Sequence, residues 1–232
     1  MVKRTTGYVT AGAVVSGQPF APAHESCSEP SSAVVRDLRG RAGRSPRALD
    51  FGARDVVVVT GLPGSGKSTL MHRTAVGQCV DSQDTRERFA ARLPRLLPYA
   101  LYRPLVRLVH YSRLWHALRA EEAVVVHDCG TQGWVRGWLA RAARRRGGIL
   151  HLLLLDVAPE AARAGQRQRG RGVSRHAFRR HCRTTARLLG AVERGRVPVG
   201  CGSAVLLDRA AADTLKRIGF LGRAGSAGTR PR

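Results

Sequence analysis

Five apolar runs, separated by polar segments of helical period, occupy the middle of the chain. Val56–Thr60 is almost wholly β-branched, and Cys79-Val80 is brief. Ala123–His127 and Ile149–Leu155 are unbroken, and Ser203–Leu207 closes the series. Apolar runs without polar alternation read as strands buried on both faces, and strands alternating with helices form a parallel sheet. A short helix follows the first strand and ends near Gly77. Residues 85–120 read as helical, interrupted by Pro94, Pro98 and Pro104. The next helix carries Trp134, Val135, Trp138, Leu139 and Ala142 on one face and closes on arginines and Gly147-Gly148, as a helix C-terminus should. An arginine-dense helical segment runs from Asp156 and Pro159 to about Leu189, and Ala210–Ile218 reads as a final helix. The pattern predicts an α/β domain with a five-stranded parallel sheet and helices on both faces.

The flanks differ in texture. Residues 1 to about 52 are rich in Gly, Pro, Ser and Arg without a sustained apolar period, and read as a disordered or loosely structured extension; deletion of residues 1–50 is expected to leave the melting temperature and ATP binding nearly unchanged. The domain is expected over 53–222, with a tail over 223–232. Met1–Arg4 followed by Tyr8–Val15 and Ala21-Pro22-Ala23 faintly imitates a signal peptide. Gly7, Gly12 and Gly17 break its middle, so a cytoplasmic protein is expected.

The first strand runs directly into Gly61-Leu62-Pro63-Gly64-Ser65-Gly66-Lys67-Ser68, which fits G-x-x-x-x-G-K-[ST]. The glycines allow backbone N–H groups to turn inward around a triphosphate. Lys67 can reach the outer phosphates, and the Ser68 hydroxyl can ligate Mg²⁺. Ser68-Thr69-Leu70-Met71 can open a helix whose N-terminus faces the anion. The chain has three lysines in all, Lys3, Lys67 and Lys216, so one placed by chance at this spacing is improbable. Open α/β sheets bind ligands beyond the carboxyl ends of their strands. Asp81 and Asp84, Asp128, and Asp208 follow the second, third and fifth strands, and converge on that end.

Composition changes the picture in two places. The formal net charge is +24, nearly all of it from arginine, while asparagine is absent and isoleucine occurs only at 149 and 218. Both nucleic-acid or acidic partners and a GC-rich coding bias account for such a chain. Five scattered cysteines (Cys27, Cys79, Cys129, Cys182, Cys201), with no C-x-x-C, argue for reduced thiols rather than a disulfide framework. His176, His181 and Cys182 lack a second cysteine pair and make a poor zinc site. No run reaches the length of a membrane span.

Without asparagine the guanine-reading N-K-x-D motif cannot exist, so ATP is the expected nucleotide. The third strand closes on His127-Asp128-Cys129 with no following Glu, which disfavours hydrolysis as an end in itself. Asp128 reads as a Mg²⁺ carboxylate or as a helix cap. Arg163, Arg167 and Arg171 recur at i, i+4, with Gly170 and Gly172 as a hinge and Ser174 able to cap the next helix. Cations on a mobile segment suit phosphoryl transfer, so residues about 160–181 read as a helical lid or as a solvated basic face. Tyr99, Tyr102, Arg103, Tyr111 and Trp115 are candidates to line an acceptor pocket or to pack in the core.

Over about residues 54–222 the chain resembles the small P-loop kinases, the group of bacteriophage-type polynucleotide kinase, gluconate kinase, adenylylsulfate kinase, chloramphenicol phosphotransferase and zeta toxin, often labelled AAA-family ATPases. The resemblance rests on Gly61–Ser68, the acidic cluster with Arg86, the lid arginines and Val205-Leu206-Leu207-Asp208-Arg209. It implies a three-layer P-loop NTPase fold and transfer of the ATP γ-phosphate to a hydroxyl, with Mg²⁺ at Ser68 and Asp128. By the same resemblance Lys67, Arg167 and Arg171 serve the transfer, Asp208 and Arg209 lie on the nucleotide, and an Asp after the second strand serves the acceptor. Asp84 stands two residues before Arg86 and Asp81 five, so neither reproduces the group's D-x-x-R spacing, and both stand as candidates. A small-molecule and a nucleic-acid acceptor remain open, as do a non-catalytic nucleotide-binding module and a nucleic-acid-stimulated ATPase.

Overall fold

The structure is a computed structural model, and it describes residues 34–41, 43–92, 99–120, 123–127, 133–168, 170 and 173–221. Its elements are β1 (Val34–Asp37), β2 (Ala48–Gly52), β3 (Val56–Gly61), α1 (Lys67–Thr74), β4 (Gln78–Val80), α2 (Ser82–Arg92), α3 (Tyr99–Arg119), β5 (Val124–His127), α4 (Gly133–Arg145), β6 (Leu150–Leu155), α5 (Pro159–Gln168), α6 (Arg175–Glu193), β7 (Cys201–Leu207), α7 (Arg209–Thr214) and β8 (Arg217–Leu221).

β3 owes its central place to four consecutive valines that pack on both faces. It pairs in parallel with β5 through Val57↔Val125 and with β6 through Val57↔His151. The sheet order is β1-β7-β6-β3-β5-β4, and every pairing is parallel. The period of two sends Val57 and Val59 into one core with Leu70 and Met71 of α1, Leu153 and Leu155 of β6, and Ala211 of α7. Val56 and Val58 enter the other, with Leu114 of α3, Leu139 of α4 and Leu188 of α6. Helices therefore cover both faces, as the apolar pattern requires.

The flank before β3 departs from the sequence reading. Residues 34–52, expected outside the folded domain, supply β1 as a sixth strand of the main sheet and β2, which pairs with β8 in a separate two-stranded parallel sheet. Leu38, Leu49 and Phe51 from this stretch are buried in the core. The strands are only four and five residues long and carry Arg36, Asp37 and Asp50, so no apolar period emerges from the sequence.

Side-chain links secure the flank. Arg39 pairs with Asp37 at 2.7 Å, Asp156 at 2.7 Å and Glu193 at 2.8 Å. The final helix also ends earlier than expected. Lys216 and Arg217 donate their amides to the Arg47 carbonyl, and Ile218 continues as a strand beside β2. α3 runs through Pro104 without a break, losing one i→i−4 bond there.

Asp55 closes the turn into β3. Its carboxylate accepts from the Gly52 amide at 2.6 Å and the Ile149 amide at 2.8 Å, and it lies 2.9 Å from His151 Nε2. His151 Nδ1 is in turn 2.7 Å from Ser203 Oγ on β7. Burial pushes the Asp55 pKa up, but the His151 contact and the two backbone amides outweigh it and hold it below the ordinary value.

Two outcomes follow from this packing. Leu49→Ala should cost about 2–5 kcal/mol, measured by urea unfolding. An unchanged midpoint would show that β2 is not part of the core. A depressed carboxyl pKa stabilises the fold above the unfolded-state value of about 3.9, and that stabilisation is lost as pH falls through the folded value. Asp55→Asn should therefore lower Tm at neutral pH, and the gap to the parent should narrow in thermal melts taken below about pH 4.

Candidate active site

The loop from Gly61 to Ser68 joins β3 to α1. Gly61, Gly64 and Gly66 have φ of 147°, 86° and 98°, a region that side chains with a Cβ rarely adopt. Gly66 is the N-cap of α1, and Lys67 is its first residue. Lys67 is 3% exposed, and its ammonium donates to the Gly61 carbonyl at 3.0 Å and the Leu62 carbonyl at 2.7 Å. The Ser65 hydroxyl is buried without a hydrogen-bond partner among the described residues. A cleft of about 210 Å³ opens beside the loop, lined by Gly64, Ser65, Gly66, Thr69, Arg73, Gly165, Gln168 and Arg209.

The acidic cluster lies at the ends of the neighbouring strands. Asp81 follows β4 and is fully buried, its Oδ1 3.3 Å from Nδ1 of His127, the last residue of β5. Asp84, in the first turn of α2, is half-exposed. His72 reaches both, its Nε2 3.9 Å from Asp81 and 3.6 Å from Asp84. His72 lies four residues after Ser68, on the same face of α1. His72, Asp81 and Asp84 each bring one ligand atom within 4.8 Å of the others, a donor set able to hold a divalent cation.

Buried His110 of α3 lies close enough to feel the Asp81 charge. Burial, reinforced by the charge of Lys67, holds the His127 imidazole well below its ordinary pKa. Burial does the same to His110. Both are neutral at physiological pH.

α5 is seated directly on the loop. A Cβ at Gly64 would run into the carbonyl of Ala162, and one at Gly165 would lie 2.5 Å from the Gly64 carbonyl oxygen. Buried Gln166 donates from Nε2 to the Pro63 carbonyl at 2.8 Å and accepts at Oε1 from the Val173 amide at 3.1 Å. One side chain thus ties the loop to the start of the turn before α6. Arg163 and Arg167 line a cavity of about 410 Å³ with Gly170, Arg175 and Phe178, and the Arg163 guanidinium lies 4.7 Å over the Phe178 ring. Ser174 caps α6, accepting from the Ala177 amide at 3.3 Å.

The structure does not gather every expected residue. Asp208 is the N-cap of α7, accepting from the Ala211 amide at 2.7 Å, and its second oxygen accepts from Gly40 at 2.8 Å. Its carboxylate therefore organises the chain, and its neighbour Arg209 lines the cleft. Tyr111 packs between α3 and α4 against Trp134 and Trp138, and Trp115 lines a cleft with Trp138. Asp128 and Arg171 lie outside the described residues, as do the side chains of Tyr99 and Arg103.

Residues 56–193 match the model of an AAA domain, well over half of the chain. The chain belongs to that family, as a P-loop kinase-like domain. No curated protein sequence matches it significantly.

Among solved structures, it is similar to one from the PezAT chromosomal toxin-antitoxin system of Streptococcus pneumoniae, with 15% identity and a TM-score of 0.43. The match covers 56% of this chain and 57% of that one, so the chain spans little more than half of that relative's length. A tunicamycin resistance protein of Deinococcus radiodurans is similar at 12% identity and TM-score 0.37, over 62% and 96% of the two chains. A gluconokinase from Sinorhizobium meliloti is similar at 18% and 0.37, over 70% and 92%.

Two features of this AAA domain escaped the sequence reading. His72 was legible as the i+4 neighbour of Ser68. Gln166 was not, because its role depends on how α5 sits. The seating of α5 has a measurable consequence. Alanine is favoured over glycine by about 1 kcal/mol inside a helix, yet crowding a packed backbone typically costs about 1–3 kcal/mol. Gly165→Ala should therefore lower the denaturant midpoint, and a raised midpoint would mean that α5 is not seated on the loop.

Proposed function

We propose that the protein is an ATP-dependent phosphotransferase that moves the γ-phosphoryl group to a hydroxyl of an acceptor. The observation that carries this reading is the grouping of Lys67, His127, Asp81 and Asp84 at adjoining strand ends. The charge of Lys67 is felt at His127, and His127 touches Asp81. A phosphate-binding loop beside an acceptor-side carboxylate is the minimum that in-line transfer needs.

In this reading the loop amides and Lys67 take the phosphates, with the lysine exchanging the Gly61 and Leu62 carbonyls for phosphate oxygens. The cleft between Gly64 and Arg209 takes the remainder of the nucleotide. P-loop kinases use ATP with Mg²⁺, and the hard oxygen donors at this end of the sheet suit that ion. Ser68 and Asp128 would hold it, and when bound it offsets charge on the phosphates.

Asp84 is assigned the acceptor because its carboxylate reaches solvent, whereas buried Asp81 orients His127 and His72. The acceptor hydroxyl gives its proton to Asp84 as its oxygen bonds to the γ-phosphorus. The bond from that phosphorus to the β,γ-bridging oxygen breaks, and ADP leaves. Arg163, Arg167 and Arg171 stabilise charge on the transferring group.

Transfer of labelled phosphate from ATP, screened across oligonucleotides, sugars, nucleosides, aminoglycosides and phenicols, tests the reading. Lys67→Ala should lose most nucleotide affinity or turnover while remaining folded, and unchanged binding and turnover would remove the assignment. Asp84→Asn should keep ATP binding and lose about 10²–10⁴ in transfer, with Asp81→Asn milder. Full transfer by both variants would leave the mechanism without its base. Arg167→Ala should reduce kcat more than nucleotide affinity. Weak binding with normal saturated turnover would make it a ground-state contact.

A further inference from the structure

All three tryptophans of the chain stand on one surface formed by α3 and α4. Tyr111 lies between them, its ring centroid 5.6 Å from Trp134 and 6.3 Å from Trp138. Trp115, one turn further along α3, is 43% exposed and Trp134 is 61% exposed. Leaving such large rings in water forfeits burial energy, so two exposed indoles on one surface point to a partner. Between the C-terminal turns of the helices is a cleft of about 310 Å³, where Trp115 and Trp138 face Arg119, Arg145 and Arg146. Its described lining contains three guanidiniums and no carboxylate. The Arg119 guanidinium carbon already lies over the Trp115 ring, 4.2 Å from its centroid.

Arg146 is buried, its guanidinium 3.5 Å from the Leu118 carbonyl, whereas Arg119 and Arg145 are exposed at the mouth of the cleft. The cleft also stands apart from the nucleotide loop. α3 and α4 end just before β5 and β6 begin, so their last turns lie at the end of the sheet opposite the P-loop.

We propose that this cleft binds single-stranded nucleic acid, with bases stacked on Trp138 and Trp115 and phosphates on Arg119 and Arg145. Trp134, one turn before Trp138, extends the stacking platform. An acidic peptide would engage the arginines and leave the ring faces uncovered. A single strand uses both, because every base has a face to stack and every linkage a charge. Recognition of this kind tolerates sequence and depends on salt.

The position of the tryptophans makes the test direct, because the intrinsic emission of the protein comes from this surface. A fluorescein-labelled oligothymidylate, titrated into the full chain, should bind by anisotropy and quench tryptophan emission together, with affinity falling as salt rises. Trp115→Ala and Trp138→Ala should each weaken binding about 5- to 100-fold. Should Trp138→Ala fail to fold, the surface variants Arg119→Ser and Arg145→Ser decide. Each should weaken binding and reduce the slope of affinity against salt by about one. Saturating ATP should leave the affinity unchanged.

Oligothymidylate binding without quenching, or equal in the arginine variants, would overturn the proposal. So would displacement by ATP, which would place the strand in the P-loop cleft. Quenching and competition by polyglutamate equal to that of the oligonucleotide would assign the surface to an acidic protein instead.

Discussion

The functional geometry depends on the burial of β3 on both faces and along both edges. With β5 on one edge and β6 on the other, every backbone group from Val56 to Val59 has a partner in the sheet, and the four valines leave the strand nowhere to slip. A one-residue shift would exchange the two valine faces, but each has its own complementary core. The loop that follows inherits this fixed origin. Because β5 and β4 lie next in order, Asp81 and His127 are fixed to the same frame, and α1 brings His72 back across their ends. The candidate site is thus a property of strand order before it is a property of any side chain.

Charge sets the second constraint. Lys67, Arg163, Arg167 and Arg209 already crowd the strand ends with cations. A further polar side chain in the interior there must hydrogen-bond without adding positive charge. Histidine meets that need when burial keeps it neutral. His110 and His127 are held below their ordinary pKa by burial, and so is His181, which also feels Arg180 and Lys67. A lysine in those places would be forced either to deprotonate or to pay the desolvation of a charge facing other charges. Neutral imidazoles leave the carboxylates Asp81 and Asp84 as the counterweight to the loop lysine.

What the sequence disclosed depended on how local the signal was. The buried strands of the main sheet were legible because an unbroken apolar run needs no partner to be recognised, and the loop motif was legible because its glycines and lysine are contiguous. β1, β2 and β8 were not, because four or five residues with arginine and aspartate among them carry no period. Their pairing is with β7 and with each other across more than 160 positions. Asp208 was read from its place at a strand end, where a carboxylate can serve a ligand or cap a helix. Only the structure shows both of its oxygens on backbone amides. For Tyr111 and Trp115 helical spacing left a pocket-lining and a core-packing role open, and the structure packs Tyr111 against the second core while Trp115 lines a cleft with Trp138.

The seating of α5 limits how the arginine segment can act. Gly64 and Gly165 meet backbone to backbone, and Gln166 holds the Pro63 carbonyl, so lifting α5 would break a part-buried hydrogen bond and open a close-packed contact. Both losses are unfavourable, the hydrogen bond alone contributing about 0.5–1.5 kcal/mol. Residues 159–168 are therefore not free to swing as one body from Pro159. Beyond α5, Gly170 has a φ of 59° and Ser174 starts a new helix. Arg163 and Arg167 both stand on α5, on the seated side of that break, so the two cations that helical spacing made equivalent are both part of the fixed wall of the cavity they line with Phe178.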